Sequence, residues 1–181
     1  VRGKGVEAAT VSGAARHALR AAALRERSPG AMLRELNDHL LVLAAGAEEP
    51  RFCTAAVVVV EPDDAGASVR IAVGGHPPPY VLRATGDTAP VEPAGPLVGV
   101  LPDAQFDEAE LRLEPGDAIV LYTDGVTERH TGGRFFDEEG LAAVLSRCVG
   151  FTSAVLAERI ETASRAFVED APRDDMAIVV A

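Results

Sequence analysis

The residues in this chain best suited to chemistry are acidic. In Leu121-Tyr122-Thr123-Asp124-Gly125-Val126-Thr127-Glu128 a hydrophobic strand pattern ends on Asp124, and Gly125 lets the backbone turn sharply. That places a carboxylate on the rim of a sheet, although Asp-Gly taken alone is an ordinary hairpin turn. A second acidic segment, Arg173-Asp174-Asp175-Met176, stands immediately before the last apolar run. Alone it reads as a solvated loop. Together the two say more. Asp124 follows the C-terminal end of one strand and Asp174 precedes the start of another, so antiparallel pairing of those strands would put both carboxylates at one sheet edge. Converging carboxylates repel unless a cation or a shared proton lies between them. Hard divalent ions such as Mg2+ and Mn2+ prefer oxygen ligands and keep several waters. Zinc would call for His or Cys, and neither accompanies these acids.

Other motifs carry less. Val1-Arg2-Gly3-Lys4-Gly5 is not a phosphate-binding loop, because Lys4 is followed by Gly5 and not by Ser or Thr. Its plain reading is an entry to the first helix. His76, in Gly74-Gly75-His76-Pro77-Pro78-Pro79, could titrate near neutrality. The glycines and prolines around it favour a structural turn instead. His17, His39 and His130 form no cluster with it, and no Ser-His-Asp or Cys-His signature is present.

Positioning elements can be read from periodicity. Residues 6–24 are Ala-rich and free of proline, which predicts a helix. Ser28-Pro29 supplies an N-cap and a first-turn proline to a second helix, with Met32, Leu33, Leu36, Leu40 and Leu43 at helical spacing and an end near Gly46. Strand patterns follow at residues 52–61, 68–75, 79–85, 109–113 and 117–123, separated by Pro, Gly and Asp. Residues 89–103, rich in Pro and Gly, read as a loop. Asp137 is a predicted N-cap for a helix carrying Leu141, Val144, Leu145 and Cys148. A fourth helix carries Leu156, Ile160, Ala163 and Phe167, and residues 176–180 form a last strand. Strand runs bounded by helix pairs predict an α+β fold with mostly antiparallel sheet.

Composition narrows the class. A chain of 181 residues with 48% hydrophobic and 25% charged residues can build one core. A formal net charge of −11 argues against nucleic acid, which needs a basic footprint. No apolar run approaches the roughly 20 residues of a membrane helix, and the first twenty residues lack a secretory pattern. A soluble, cytoplasmic protein with no membrane partner is therefore predicted. Cys53 and Cys148 lack metal-ligand spacing and read as buried thiols in a reducing compartment.

Five segments in order, Val1-Arg2-Gly3-Lys4-Gly5, Arg51-Phe52-Cys53-Thr54, Gly74 to Pro79, Leu121 to Glu128 and Arg173 to Met176, resemble the SpoIIE-like branch of bacterial PPM-type (type 2C) serine/threonine protein phosphatases. Each is weak alone; five in the family's order are specific. The resemblance implies a four-layer α-β-β-α sandwich of two antiparallel sheets flanked by helix pairs. It takes residues 1–181 as one phosphatase domain, N-terminally truncated before its first strands and first metal-binding aspartate. It implies two ions, Mn2+ or Mg2+, held by Asp124 and Asp174, with Asp175 as second choice, the Val1 backbone carbonyl as a further ligand and Glu128 as an accessory acid. Arg2 is the candidate phosphate-binding residue. The implied reaction is hydrolysis by a water activated between ions about 3.5–4 Å apart, with no phosphoenzyme. The implied substrate is a phosphoserine or phosphothreonine protein of the anti-sigma-factor antagonist type, acting in bacterial sigma factor regulation and signal transduction. An upstream sensory domain and a switch function for the first two helices are implied too, and a homodimer is compatible. The rival reading is a catalytically inactive pseudophosphatase that only binds a phosphoprotein or partner. An aspartate just before Val1 in the complete gene would favour the enzyme.

Overall fold

The computed structural model describes residues 5–45, 51–131, 133–167 and 175–181. In chain order its elements are α1 (Val6–Ala23), α2 (Pro29–Ala44), β1 (Ala55–Asp63), β2 (Gly66–Gly74), β3 (Tyr80–Leu82), β4 (Thr88–Pro90), β5 (Ala109–Leu113) and β6 (Ala118–Tyr122). A 3-10 turn (Asp124–Val126), β7 (His130–Thr131), β8 (Arg134–Phe135), α3 (Asp137–Leu145), α4 (Ser153–Ala166) and β9 (Ile178–Val180) follow. The class is α+β, as the periodicity predicted. No helix among the described residues is long and apolar enough to cross a membrane. Two compact units divide the chain: Val1–Asp63 with Ala67–His76 and Glu92–Arg112, and Asp64–Gly66 with Pro77–Val91 and Leu113–Ala181.

In the first unit α1 packs on α2, and β1, β2 and β5 form a sheet in the order β1-β2-β5. Ser28 caps α2 as its sequence predicts. Its hydroxyl accepts the Ala31 N–H at 3.0 Å and donates to the Glu108 carboxylate. Leu33, Leu36 and Leu40, spaced three and four apart, pack with Val11, Cys53, Ala72, Val98 and Phe106. One polar residue shares that core. Asn37 is buried, its Oδ1 accepting the Gly99 N–H at 2.8 Å and its Nδ2 donating to the Leu101 carbonyl at 3.0 Å.

The second unit holds the sheet β4-β3-β6-β9, antiparallel throughout. Alternate residues Tyr80, Leu82, Val120 and Tyr122 share one core with Leu141 and Leu145 of α3 and Leu156 and Ile160 of α4. Periods of two and about four thus meet on one apolar layer. Asp137 does cap α3 chemically. It sits at φ 46°, and its Oδ1 accepts the N–H groups of Glu139 and Gly140 at 2.9 and 3.1 Å. The loop predicted at 89–103 contributes β4 at its start, because β3 offers an edge on which Val81 pairs with Ala89 and Leu82 with Thr88. Pro90 is tolerated there as an edge-strand residue. The short hairpin β7-β8 was also invisible as a strand pattern.

Candidate functional site

The acidic edge is built by the pairing of β6 with β9. Val120 pairs with Val180, Leu121 with Val179 and Tyr122 with Ile178, antiparallel. One residue further, the Thr123 N–H donates to the Ala177 carbonyl at 3.1 Å. The end of β6 therefore lies beside the start of β9, the arrangement on which the sequence argument depended.

Beyond Thr123 the chain does not form a two-residue hairpin. It closes the 3-10 turn, in which the Val126 N–H donates to Thr123 and the Thr127 N–H to Asp124, each at 2.9 Å. Asp124 opens that turn, exposed, with Oδ1 accepting the Gly125 N–H at 2.9 Å. Glu128 is exposed as well and tied to the same turn, its N–H donating to the Asp124 carbonyl at 2.8 Å.

Gly125 is buried and explains how the two acidic segments come so close. A Cβ on this residue would lie 2.5 Å from the Asp175 carbonyl oxygen. Thr123 completes the junction: its Oγ1 accepts the Ala177 N–H at 3.0 Å and lies 3.5 Å from the Asp175 carbonyl. Asp175 itself is exposed. From the helix side, the fully buried Ser164 of α4 donates its hydroxyl to the Val126 carbonyl at 2.7 Å.

The structure thus brings Asp124, Glu128 and Asp175 to neighbouring backbone positions. Val1, Arg2 and Asp174 lie outside the described residues. Among the described residues no three His, Cys, Asp or Glu side chains converge as a metal cage. What is present is an exposed, oxygen-only donor set, which suits a hard divalent cation better than a soft one. Sequence reasoning missed Thr123, the packing role of Gly125 and Ser164. The last left a trace: residues 156, 160 and 164 recur one turn apart, and the third is polar.

Neither cysteine offers a competing nucleophile. Burial pushes the thiols of Cys53 and Cys148 above their ordinary range, so neither is an activated thiolate. Burial, reinforced by the nearby Glu138 charge, also raises the Tyr122 phenol, whose hydroxyl has no hydrogen-bond partner among the described residues. His76 follows Gly75, which takes φ 61° where β2 has ended and donates its N–H to Gly95 at 3.2 Å. That is the structural turn predicted for it.

Comparison with known proteins adds a family. The model of Stage II sporulation protein E (SpoIIE) matches residues 1–181. Phosphoserine phosphatase RsbP of Bacillus subtilis strain 168 is 31% identical over 111 residues, covering 61% of this chain and 27% of RsbP. The chain covers between 12% and 33% of the length of the curated relatives it matches. The SiaA PP2C domain of Pseudomonas aeruginosa superposes with a TM-score of 0.79 at 20% identity, covering 99% of this chain and 71% of that one. RsbX, solved in complex with magnesium, superposes with a TM-score of 0.68 at 14% identity over 99% of this chain and 75% of RsbX. These likenesses in shape show that the chain has the PP2C-type fold.

Proposed function

Starting from the fact that this chain belongs to the Stage II sporulation protein E (SpoIIE) family, we propose that it is the phosphatase domain of a metal-dependent protein serine/threonine phosphatase. The observation that carries the reading is the β6–β9 register, which seats the Asp124 turn against the Asp175 segment at one exposed edge. RsbP, a phosphoserine phosphatase by name, and magnesium-bound RsbX support it.

In this reading Asp124 and Asp174 hold two divalent ions, Mn2+ or Mg2+. Asp175 is the alternative to Asp174, the Val1 carbonyl is a further ligand and Glu128 is an accessory acid. When bound, the ions supply an activated water and neutralise charge on the phosphoryl oxygens. The chain's own work is placement. Asp124 is exposed and held on a closed turn, with one carboxylate oxygen anchored by the Gly125 N–H. Thr123 and Gly125 hold that turn to the segment that begins at Asp175. Arg2 would grip the phosphoryl group. The substrate is a phosphoserine or phosphothreonine protein of the anti-sigma-factor antagonist type, in the cytoplasm. Residues 1–181 would act as one domain of a protein that also carries a sensory module.

The second reading is a pseudophosphatase that binds a phosphoprotein without turnover. One experiment separates the two. Phosphate release from a phosphoserine protein is measured with the full-length gene product, with and without Mn2+, for wild type, Asp124→Asn and Asp174→Asn. The enzyme reading requires metal-dependent turnover. It also requires a loss of roughly 100-fold or more in each variant, since charge stabilisation worth several kcal/mol converts at about 1.4 kcal/mol per tenfold. Metal-independent turnover, or variants of full activity, would refute it. Phosphoprotein binding without turnover would establish the pseudophosphatase.

A further inference from the structure

Positions 156, 160 and 164 of α4 stack one turn apart, and all three are buried. Two are Leu156 and Ile160; the third, Ser164, has no exposed surface. A buried hydroxyl costs free energy unless it is paired. A helical serine often satisfies itself on the carbonyl four residues earlier. Ser164 instead reaches out of its helix, donating to the Val126 carbonyl at 2.7 Å with its oxygen 3.6 Å from the Met176 sulfur. Val126 closes the turn that Asp124 opens. Met176 follows Asp175. One side chain therefore touches both segments that bear the candidate acids.

We propose that Ser164 is a positioning residue for the metal-holding acids, fixing the Asp124 turn against the Asp175 segment from the helix layer. The proposal rests on the metal-dependent reading above and deepens it. Thr123 and Gly125 set how near the two segments lie along the sheet edge. Neither of those contacts reaches the far end of the turn. The carbonyl of Val126 projects toward α4, and without Ser164 it would be left unpaired in a buried place. The turn would then relax toward another donor and carry Asp124 with it. A residue that merely filled the core would affect stability. A residue that orients the turn must also affect how well the edge binds a cation.

The test uses the full-length gene product and direct Mn2+ binding, read from the electron paramagnetic resonance signal of free Mn2+, beside urea unfolding. Ser164→Ala should weaken Mn2+ binding about tenfold, the low end of the 10–100-fold lost when outer supports of metal ligands are removed. At saturating Mn2+ the KM for phosphoprotein should stay unchanged. Ser164→Thr keeps the hydroxyl and should keep wild-type Mn2+ affinity. Ile160→Val, one turn away in the same core, should lower the urea midpoint without moving Mn2+ affinity. Should Ser164→Ala fail to fold, Ser164→Cys retains the volume with a much weaker donor and carries the same comparison. Wild-type Mn2+ affinity in the hydroxyl-free variant, or an equal shift in Ile160→Val, overturns the proposal and leaves the phosphatase reading standing. Mn2+ binding that is absent from wild type, or indifferent to Asp124→Asn, overturns both.

Discussion

Gly125→Ala probes the acidic edge with a single methyl group. The new Cβ would stand 2.5 Å from the Asp175 carbonyl oxygen and 3.2 Å from its carbon, whereas ordinary contact begins near 3.4 Å. The two segments must therefore part by about 0.9 Å. Both clashing partners are backbone, so no side chain can rotate away. The displacement has to be taken up by the Thr123–Ala177 bonds and the first pair of β9. Overpacking of this kind costs about 1–3 kcal/mol. Function should suffer more than stability, because a misplacement of about 1 Å at reacting groups can cost on the order of 100-fold. Urea unfolding, Mn2+ titration and phosphate release should together show a folded protein with weakened Mn2+ binding and turnover down by that order. Gly13→Ala is the control: nothing lies within 4 Å of its Cβ, inside α1. That change should add roughly 0.5–1 kcal/mol of stability. A Gly125→Ala protein with wild-type turnover and Mn2+ requirement would refute the claim that the edge depends on this close approach.

Two further outcomes follow from polar groups held by the fold. Asp117 accepts hydrogen bonds from the Ala84 N–H, the Glu114 N–H and Arg83. Burial alone would raise its carboxyl; the two backbone donors together with the Arg83 bond and charge outweigh that and hold it below its usual value. Asp117→Asn should cost about 1–3 kcal/mol at neutral pH. Because the folded carboxyl is depressed, the wild-type advantage is full above the ordinary value near 3.9 and is lost as pH falls through the folded value. Urea midpoints measured from pH 7 downward should converge; a constant gap would refute the charge as its source. Asn37→Ala should cost about 1–3 kcal/mol for the buried Gly99 N–H it leaves unpaired, with Asn37→Asp less costly because it still accepts from Gly99 and loses only the bond to the carbonyl of the exposed Leu101. A loss below about 0.5 kcal/mol, the scale of an ordinary surface change, would mean that the 99–101 loop does not need the anchor.

Much of this molecule was legible in one dimension because local signals and burial agreed. Ser28-Pro29 announced the start of α2, and the four-residue stripes of α2, α3 and α4 marked the faces that are buried. β6 was read to within a residue or two, since its apolar run stops at an Asp-Gly pair. Weak signals failed where pairing, not composition, makes the strand. β4 has two residues of low strand preference, Ala89 and Pro90, and exists because β3 offers it an edge. Ser164 was passed over because a serine in a helix carries no hint of its acceptor, which lies 38 residues away.

The residue order alone determined which groups could do chemistry: Asp124 after one apolar run, Asp174 and Asp175 before another, oxygen donors without nitrogen or sulfur. It could not decide whether those groups meet, because strand pairing is a long-range choice set by packing over the whole sheet. Only the tertiary structure places β9 beside β6 in antiparallel register, presses the Asp175 carbonyl against a glycine, and sends a hydroxyl from α4 to the intervening turn. Local chemistry is written in residue types; the distance between them is set by the core that closes around them.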